Sequence, residues 1–348
     1  MLYDLFENLG IAYGKIIGIE ALLVCAVVFL LTLISTRLIL PVLRAKKLNQ
    51  PINMYVAEHA GKAGTPTMGG ICFILASLVA ILVWIVLEKS AVIGEDQKRA
   101  LLPFVLTVCL GVGNGLIGFI DDYKKLIKKD NEGLNESQKL ILQLVVAAAY
   151  LAMMGMTGNL VSSLRIPFTE IYLNLGWFAY PLYLLVIIGF VNSTNITDGL
   201  DGLASSVGVA VSMALIAMAV ILGSRYTGVA AGMLLGALLG FLVFNHYPAK
   251  VFMGDTGSLF IGGIIMGCAV SDGQLIPVII MSLVFIFEML SSLLQRVYFK
   301  LTHGKRLFKK APVHHHFQLL NWSEVKIVTV FFAVSILCGI LGVLCAVI

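Results

Sequence analysis

Residues 101–126 read LLPFVLTVCLGVGNGLIGFIDDYKKL, and no residue from 101 to 120 is charged. A helix of that length crosses the roughly 30 Å of hydrocarbon in a bilayer. Two adjacent aspartates and two adjacent lysines then follow directly on the apolar run. The stretch therefore predicts a transmembrane helix that ends at residue 120 and places paired charges at a membrane surface.

The composition of the whole chain agrees with this interpretation. Of its 348 residues, 59% are hydrophobic and 12% are charged, whereas soluble domains carry about 25% charged residues. The long runs are apolar on every face, which excludes a soluble helical bundle with one apolar stripe. We expect an all-α polytopic integral membrane protein that forms one transmembrane domain over residues 1–348, in contact with membrane lipid and without a nucleic-acid partner.

About ten transmembrane helices are predicted from the apolar runs, with ends that are uncertain by a few residues. They cover residues 19–42, 68–87, 101–120, 138–155, 176–191, 203–222, 228–244, 258–271, 275–299 and 325–348.

The connecting segments differ in charge. Most of the 24 lysines and arginines lie in or beside the segments that follow odd-numbered spans. The positive-inside rule makes these segments cytoplasmic and both termini periplasmic. The Asp-rich and His-rich motifs fall on the same face, whereas a transporter is expected to place its polar groups near the bilayer midplane. A site at the membrane surface indicates chemistry between a soluble reactant and a lipid.

Asp121 and Asp122 form the first motif. Carboxylates are unfavourable at a helix C-terminus, and adjacent like charges repel. A shared Mg²⁺ would explain the pair, since this ion takes carboxylates together with phosphate oxygens. Lys124 and Lys125 follow and could bind an anion. The alternative is a solvated helix end.

Two further Asp-Gly motifs are predicted on the same face. The segment 192–203, NSTNITDGLDGL, carries Asp198 and Asp201, each followed by glycine. It is interpreted as a binding loop, with an Asx-rich capping turn as the alternative. Residues 254–258, GDTGS, resemble a phosphate or metal turn at the start of a helix.

Polar residues near the C-terminal end complete the set. His314, His315 and His316 follow a basic cluster, and phosphate binding is favoured over zinc, because adjacent residues point in different directions. The basic cluster could also anchor the chain to anionic lipid. Within the ninth span, Glu288 is either a functional acid or a structural one with Ser291 and Ser292 as local partners.

These motifs together carry a family resemblance. KAGTPTMGG at 62–70, DDYKK at 121–125, NITDGLDGLA at 195–204, FMGDTGSL at 252–259 and PVHHHF at 312–317 resemble the bacterial phospho-N-acetylmuramoyl-pentapeptide transferases. That family belongs to the polyprenyl-phosphate N-acetylhexosamine-1-phosphate transferases. The resemblance implies a homodimeric ten-helix enzyme of the bacterial cytoplasmic membrane. It would move phospho-MurNAc-pentapeptide from UDP to undecaprenyl phosphate, with Mg²⁺, giving lipid I and UMP.

The resemblance also implies roles for individual residues. Asp255 would be the Mg²⁺ ligand, Asp121 and Asp122 the catalytic pair, and Asp198 a further catalytic acid. The residues expected to contact substrate are Lys62, Lys125, Asn195, Asp201, Asn245, Phe252, Gln295, His314, His315 and His316. The segment NESQKLILQ departs from the more basic family version, because Lys139 is its only cation.

Two mechanisms and two other functions remain open at this stage. The phosphate of the lipid attacks directly, with Asp121 orienting or deprotonating it, or a covalent phosphosugar–aspartate intermediate forms. The alternative functions are a related transferase that uses UDP-GlcNAc and, from another class, a divalent-cation transporter.

Overall fold

The computed structural model of the chain describes residues 13–45, 64–90, 95–128 and 133–348. A short hairpin of β1 (Ser163–Arg165) and β2 (Tyr172–Asn174) and a 3₁₀ turn at Gly176–Phe178 interrupt an otherwise mainly helical chain. The helices in chain order are α1 (Tyr13–Ala45), α2 (Gly70–Ser90), α3 (Glu95–Lys128), α4 (Glu136–Met156), α5 (Ala179–Thr197), α6 (Leu203–Leu222), α7 (Arg225–Asn245), α8 (Gly254–Ser271), α9 (Leu275–Met281), α10 (Leu283–Leu301), α11 (Val313–Gln318) and α12 (Glu324–Val347).

Nine stretches in the described part of the chain are helical, long and apolar enough to cross a membrane. The pair α9 and α10 makes a tenth span if its two bent halves are counted together. This confirms the expected all-α polytopic membrane fold with about ten transmembrane helices. The apolar runs located most spans to within a few residues, because run length sets where a helix can cross. The prediction that the third span ends at residue 120 is wrong: α3 continues to Lys128, so Asp121 and Asp122 lie inside the helix.

The ninth predicted span, 275–299, is the exception, because it is not one continuous helix. It breaks at Ser282, and the axes of α9 and α10 are bent by 77°. Gly342 of α12 lies against Pro277 and Met281 of α9, where a side chain at residue 342 would collide. The sequence of this span is apolar throughout and does not indicate the break. The break coincides with close packing of α9 on α12, a contact between segments that are distant in the chain.

Helix α8 lies at the centre of the bundle, with 89% of its spanning segment buried. Helix α8 packs most extensively against α3, and glycines let the two backbones approach each other closely. A Cβ on Gly263 would come within 2.7 Å of Gly111, and a Cβ on Gly118 would collide with the backbone carbonyl of Asp255. Small residues at crossings are the usual means of packing helices in lipid, where no hydrophobic force joins them.

The bundle has two distinct ends. We call the end where α3 finishes and α8 begins the site face, and the opposite end the far face. The hairpin lies at the far face, where Arg165 donates hydrogen bonds to the carbonyls of Ala346 (3.1 Å) and Ile348 (2.7 Å). Gly14 packs on Val220 near the end of α6. Both described chain ends therefore lie at the far face, and its periplasmic location stays a prediction from the lysines and arginines.

Candidate active site

Three carboxylates converge at the site face. Asp121 and Asp122 come from the last turns of α3, and Asp255 comes from the first turn of α8. One oxygen of each lies within 4.8 Å of the others. The close crossing at Gly118 brings them together, since it places the end of α3 directly on the start of α8. The sequence predicted this grouping of acids.

Asp122 is bound to the backbone of α8. Its Oδ1 accepts from the amide of Asp255 at 3.2 Å, and its Oδ2 accepts from the amide and hydroxyl of Thr256 at 3.0 and 2.7 Å. A carboxylate at a helix N-terminus satisfies free amides and complements the macrodipole. These contacts give Asp122 a positioning role, and direct participation in catalysis stays a prediction.

The same contacts change the interpretation of residues 254–258. That segment was expected to be a phosphate or metal turn. The amides of Asp255 and Thr256 already donate to Asp122, so a phosphate would have to displace that carboxylate. Of the two alternatives, the contacts favour the metal turn.

Asp121 faces the other side of the cluster. Lys125 lies 2.6 Å from its Oδ2, and the amide of Leu134 donates to its Oδ1 at 2.6 Å. The side chain is 4% exposed. Asp121 thus joins the end of α3 to the segment before α4, while the ion pair with Lys125 keeps the carboxylate oriented.

Asp255 is contacted by side chains from three other helices, α3, α4 and α5. Lys125 and Lys139 approach its Oδ2 at 3.2 and 2.8 Å, and Asn195 donates to its Oδ1 at 2.8 Å. The single cation of the NESQKLILQ segment, Lys139, is thus directed at the acidic cluster, and a contact of Lys139 with a substrate phosphate is not tested by this placement. Lys139 was not among the predicted site residues, although it is the one cation of that segment.

Asn195 and its neighbours hold α5 and α8 together. Besides Asp255, Asn195 donates to the hydroxyl of Ser258 at 2.9 Å and accepts from Lys139 at 3.1 Å. Thr194 donates to the carbonyl of Ser258 at 2.8 Å. The expectation that Asn195 belongs to the site is consistent with this placement, and its contact with substrate stays a prediction. Nothing in the sequence pairs residues 194 and 195 with residue 258.

Asp198 and Asp201 have separate environments. Asp198 ends α5, and no hydrogen bond or ion pair of its carboxylate is found among the described residues. Enclosure by protein raises the pKa of Asp198 well above its usual range, and the nearby carboxylates raise it further. Asp201 is buried and accepts from the amide of Ala249 at 2.9 Å, so it anchors the segment after α7. The two acids therefore differ in role despite their similar sequence context.

Two further predicted substrate residues, Asn245 and Phe252, lie in or near that anchored segment. Asn245 is 2% exposed; its amide accepts from Ser205 at 3.0 Å and donates to the carbonyl of Val251 at 3.0 Å. The half-buried Phe252 exchanges backbone hydrogen bonds with Pro66 and Gly69. Lys62 lies outside the described residues. Asn245 is a structural tie here, and the substrate contacts of all three stay predictions.

The three consecutive histidines point in different directions, as expected. His314 is buried, and its Nδ1 lies 2.8 Å from Oε2 of Glu288. His315 Nδ1 meets Gln318 at 2.7 Å, and His316 Nδ1 accepts from the amide of Lys309 at 3.1 Å. Among the described residues they therefore form no common metal site.

Glu288 has a different partner from the local serines proposed for it. Ser291 bonds the backbone carbonyl of Glu288 rather than its carboxylate, and it accepts from the amide of Val313 at 3.0 Å. The carboxylate pairs with His314, a residue that sequence spacing could not connect to it. The pair fastens α11 to α10, so the structural role of Glu288 is the one these contacts support.

A cavity of about 1050 Å³ opens beside α10 and α11. Gln295 lines it and accepts from the amides of Leu307 and Phe308 at 3.1 and 2.9 Å. None of the described residues that line the cavity is acidic, and Ile196, which is one of them, is next to Asn195 in the chain. Its charged or titratable lining residues are Arg296, Lys300, Arg306, Lys310 and His315.

The acidic cluster suits a hard divalent cation. Carboxylate oxygens are the preferred protein ligands of Mg²⁺ and Ca²⁺, and this ion type leaves positions for phosphate oxygens and water. Asp255 and Asp121 offer oxygens toward the cluster, whereas both oxygens of Asp122 accept hydrogen bonds from the first turn of α8. The residues present therefore fit a metal held mainly by Asp255 and Asp121.

The fold and this site define a polytopic integral membrane protein with an acidic, lysine-flanked centre at one membrane face. Residues 103–272 match the model of glycosyl transferase family 4, and residues 62–74 match signature 1 of the phospho-N-acetylmuramoyl-pentapeptide-transferases. The chain belongs to the phospho-N-acetylmuramoyl-pentapeptide-transferase family.

Its curated relatives support that assignment over nearly the whole length. The chain is 41% identical over 316 residues to the phospho-N-acetylmuramoyl-pentapeptide-transferases of Staphylococcus aureus strains bovine RF122 / ET3-1 and JH9. Each alignment covers 90% of this chain and 95% of the relative.

Proposed function

We propose that the chain transfers phospho-MurNAc-pentapeptide from UDP-MurNAc-pentapeptide to undecaprenyl phosphate and releases lipid I and UMP. The observation that carries this proposal is the cluster of Asp121, Asp122 and Asp255, flanked by Lys125 and Lys139, at one face of a membrane bundle. Membership of the family supplies the substrates. The proposal treats residues 1–348 as a single transferase domain.

The cofactor proposed for this site is Mg²⁺, held by Asp255 with Asp121. When bound, the ion supplies positive charge to the phosphate oxygens of both substrates. Asp122 contributes by holding the first turn of α8, which fixes where Asp255 stands.

The lysines supply the remaining positive charge. Joining two phosphate groups brings anions together, so the barrier is largely electrostatic, and fixed cations lower it by positioning and charge stabilisation. Lys125 contacts both Asp121 and Asp255, and Lys139 contacts Asp255 and Asn195. Each ammonium group can replace one of its hydrogen bonds to a carboxylate with one to a phosphate oxygen while it keeps its other contact in the cluster.

Asp121 is the acid proposed to act on the lipid phosphate. Asp122 is held by backbone amides of α8. The carboxylate of Asp121 instead contacts the side chains of Lys125 and Asp255. Asp121 lies in the last turns of α3, at the site face, where a lipid headgroup would meet it. Its carboxylate would orient the attacking phosphate or accept a proton from it. The alternative, a covalent intermediate, differs in the stereochemistry at phosphorus, since direct attack inverts the configuration and two displacements retain it.

The membrane setting follows from the same geometry. The polyprenyl tail stays in lipid while its phosphate meets the soluble nucleotide-sugar at the site face. We propose that this face is cytoplasmic and that the membrane is the bacterial cytoplasmic membrane, because the basic residues favour that orientation. A homodimer, which the family resemblance implies, is part of the proposal.

An assay with purified protein tests the function. With UDP-MurNAc-pentapeptide, undecaprenyl phosphate and Mg²⁺, we expect UMP and lipid I in equal amounts, and chelation of the metal should stop both until Mg²⁺ is restored. Replacing the donor with UDP-GlcNAc should give little product. Equal use of UDP-GlcNAc would favour the related transferase. Cation flux in proteoliposomes without any transfer would establish the transporter instead.

The basic cavity is proposed to bind the anionic donor. We expect Arg306→Gln with Lys310→Gln to raise the KM for UDP-MurNAc-pentapeptide about tenfold, since two partly screened ion pairs are lost. The kcat should change little, because neither residue touches the acidic cluster. Arg37→Gln, an exposed cation on α1, is the matched control and should leave KM unaltered. An unaltered KM in the double variant would exclude the cavity as the donor site.

A further inference from the structure

A second cavity lies at the far face, at the opposite end of α8 from Asp255. Its volume is about 520 Å³, and it is lined where α6 and α8 end and where α7 begins. Asp272, which directly follows α8, contributes the carboxylate. Phe104 and Tyr226 contribute aromatic rings. The transfer reaction proposed above makes no use of this cavity.

The Asp272 carboxylate is only partly satisfied. Its Oδ2 is buried and has no hydrogen-bond partner among the described residues. The hydroxyls of Thr227 and Ser224 contact the carboxylate, but burial prevails and raises the pKa of Asp272 to about 6. A buried carboxylate without a full set of partners is costly, because its charge is removed from water.

Two of the three helix ends at the cavity, the C-termini of α6 and α8, add negative potential beside Asp272, and the N-terminus of α7 opposes them. Asp272 is the residue that caps the C-terminus of α8, and Gly223 caps that of α6. The macrodipole disfavours an anion at a helix C-terminus and favours a cation there. The cavity therefore has an electrostatic preference for a positively charged ligand.

The arginine in the cavity wall already has a counter-ion. Arg225 donates to both oxygens of Glu20, at 2.6 and 2.7 Å, and Glu20 also accepts from Trp84 at 3.0 Å. The guanidinium lies over the rings of Trp84 and Tyr226. Because Arg225 is paired with Glu20, the Asp272 carboxylate has no ion-pair partner in the part of the chain that the structure describes.

The chemistry of the lining selects among cations. A divalent metal ion is commonly held by more than one carboxylate, or by a carboxylate together with phosphate oxygens and water, whereas this lining offers one carboxylate beside aromatic rings. An ammonium group needs three acceptors and is also attracted by aromatic faces. The cavity, moreover, is large enough for an organic molecule rather than an ion alone.

We propose that this far-face cavity binds a primary ammonium group, with Asp272 as its ion-pair partner. The group can belong to a soluble amine or to the headgroup of an aminophospholipid in the adjacent leaflet. Ser224 and Thr227 accept its remaining hydrogen bonds, and Phe104 and Tyr226 enclose its carbon atoms.

The test compares lipids and amines with the intact purified protein. In nanodiscs of phosphatidylethanolamine, we expect the melting temperature to exceed that in phosphatidylcholine nanodiscs by about 2 °C or more. The trimethylated headgroup cannot donate hydrogen bonds. Native mass spectrometry should show phosphatidylethanolamine retained in preference to phosphatidylcholine. If ethanolamine added to phosphatidylcholine nanodiscs gives the same increase, the ligand is a soluble amine; if it does not, the source is the lipid.

Asp272→Asn and Glu170→Gln form the matched pair of variants. Asp272→Asn should abolish the preference for phosphatidylethanolamine or ethanolamine, whereas Glu170→Gln, an exposed acid between β1 and β2 at the same face, should keep it. Equal stability of the wild-type protein in all three conditions would overturn the proposal. So would a preference that persists in Asp272→Asn. The wild-type comparison decides the matter even if that variant folds poorly.

Discussion

The Asp255→Asn variant is expected to fold and to release UMP at about a thousandth of the normal rate or less. The amide has nearly the shape of the carboxylate, so it can still accept from Asn195. It cannot balance the charges of Lys125 and Lys139, which approach the same oxygen at 3.2 and 2.8 Å. It is also a much weaker ligand for Mg²⁺. Loss of this one charge thus disturbs the metal and both cations together.

Initial rates of UMP release over a range of Mg²⁺ concentrations provide the measurement. The variant should show no recovery at high Mg²⁺, and size-exclusion chromatography should show the same profile as the wild type. Glu170→Gln again serves as the control for removal of an acidic charge. Activity of Asp255→Asn within about tenfold of the wild type would falsify the assignment of Asp255 as the principal metal ligand.

Gly118→Ala is expected to destabilise the bundle and to remove most activity. Its new Cβ would collide with the backbone carbonyl of Asp255, which cannot move away as a flexible side chain could. Overpacking of this kind costs about 1–3 kcal/mol. A displacement of Asp255 by about 1 Å can in addition reduce the rate about a hundredfold.

Gly189→Ala is the matched control for this substitution. Gly189 also lies inside a transmembrane helix, and a Cβ there would meet no atom within 4 Å. Both changes gain the same helix propensity of about 1 kcal/mol, so the difference between them isolates the collision. Melting temperatures and UMP release should therefore separate the two variants. Equal values would show that α3 and α8 do not need their close approach.

Sequence reasoning located the spans well because the length and polarity of each run set the helix that it can form. It failed at Ser282, where an unbroken apolar run hides a 77° bend that depends on contacts with α12. No local sequence pattern distinguishes one straight transmembrane helix from two shorter helices that are bent because they pack against a glycine far away in the chain.

The sequence predicted which residues form the site better than it predicted the contacts that each of them makes. The acids at 121, 122 and 255 were grouped correctly, but only the structure shows that Asp122 binds the amides of α8 while Asp121 binds Lys125. Adjacent residues on a helix point in directions about 100° apart, so the two neighbouring aspartates have different surroundings. The pairs of Glu288 with His314 and of Lys139 with Asp255 join residues far apart in the chain, which one sequence cannot reveal.

The hydrogen bonds between Asp122 and the first amides of α8 also determine which groups of the site can move during the reaction. Backbone amides at a helix end are immobile and would grip a phosphate in one place. Here those amides are already engaged, and the cations nearest the cluster are lysines on long, rotatable stems. Such ammonium groups can travel with a phosphorus atom as it leaves one oxygen and joins another, and so keep its charge balanced along the whole path between two substrates.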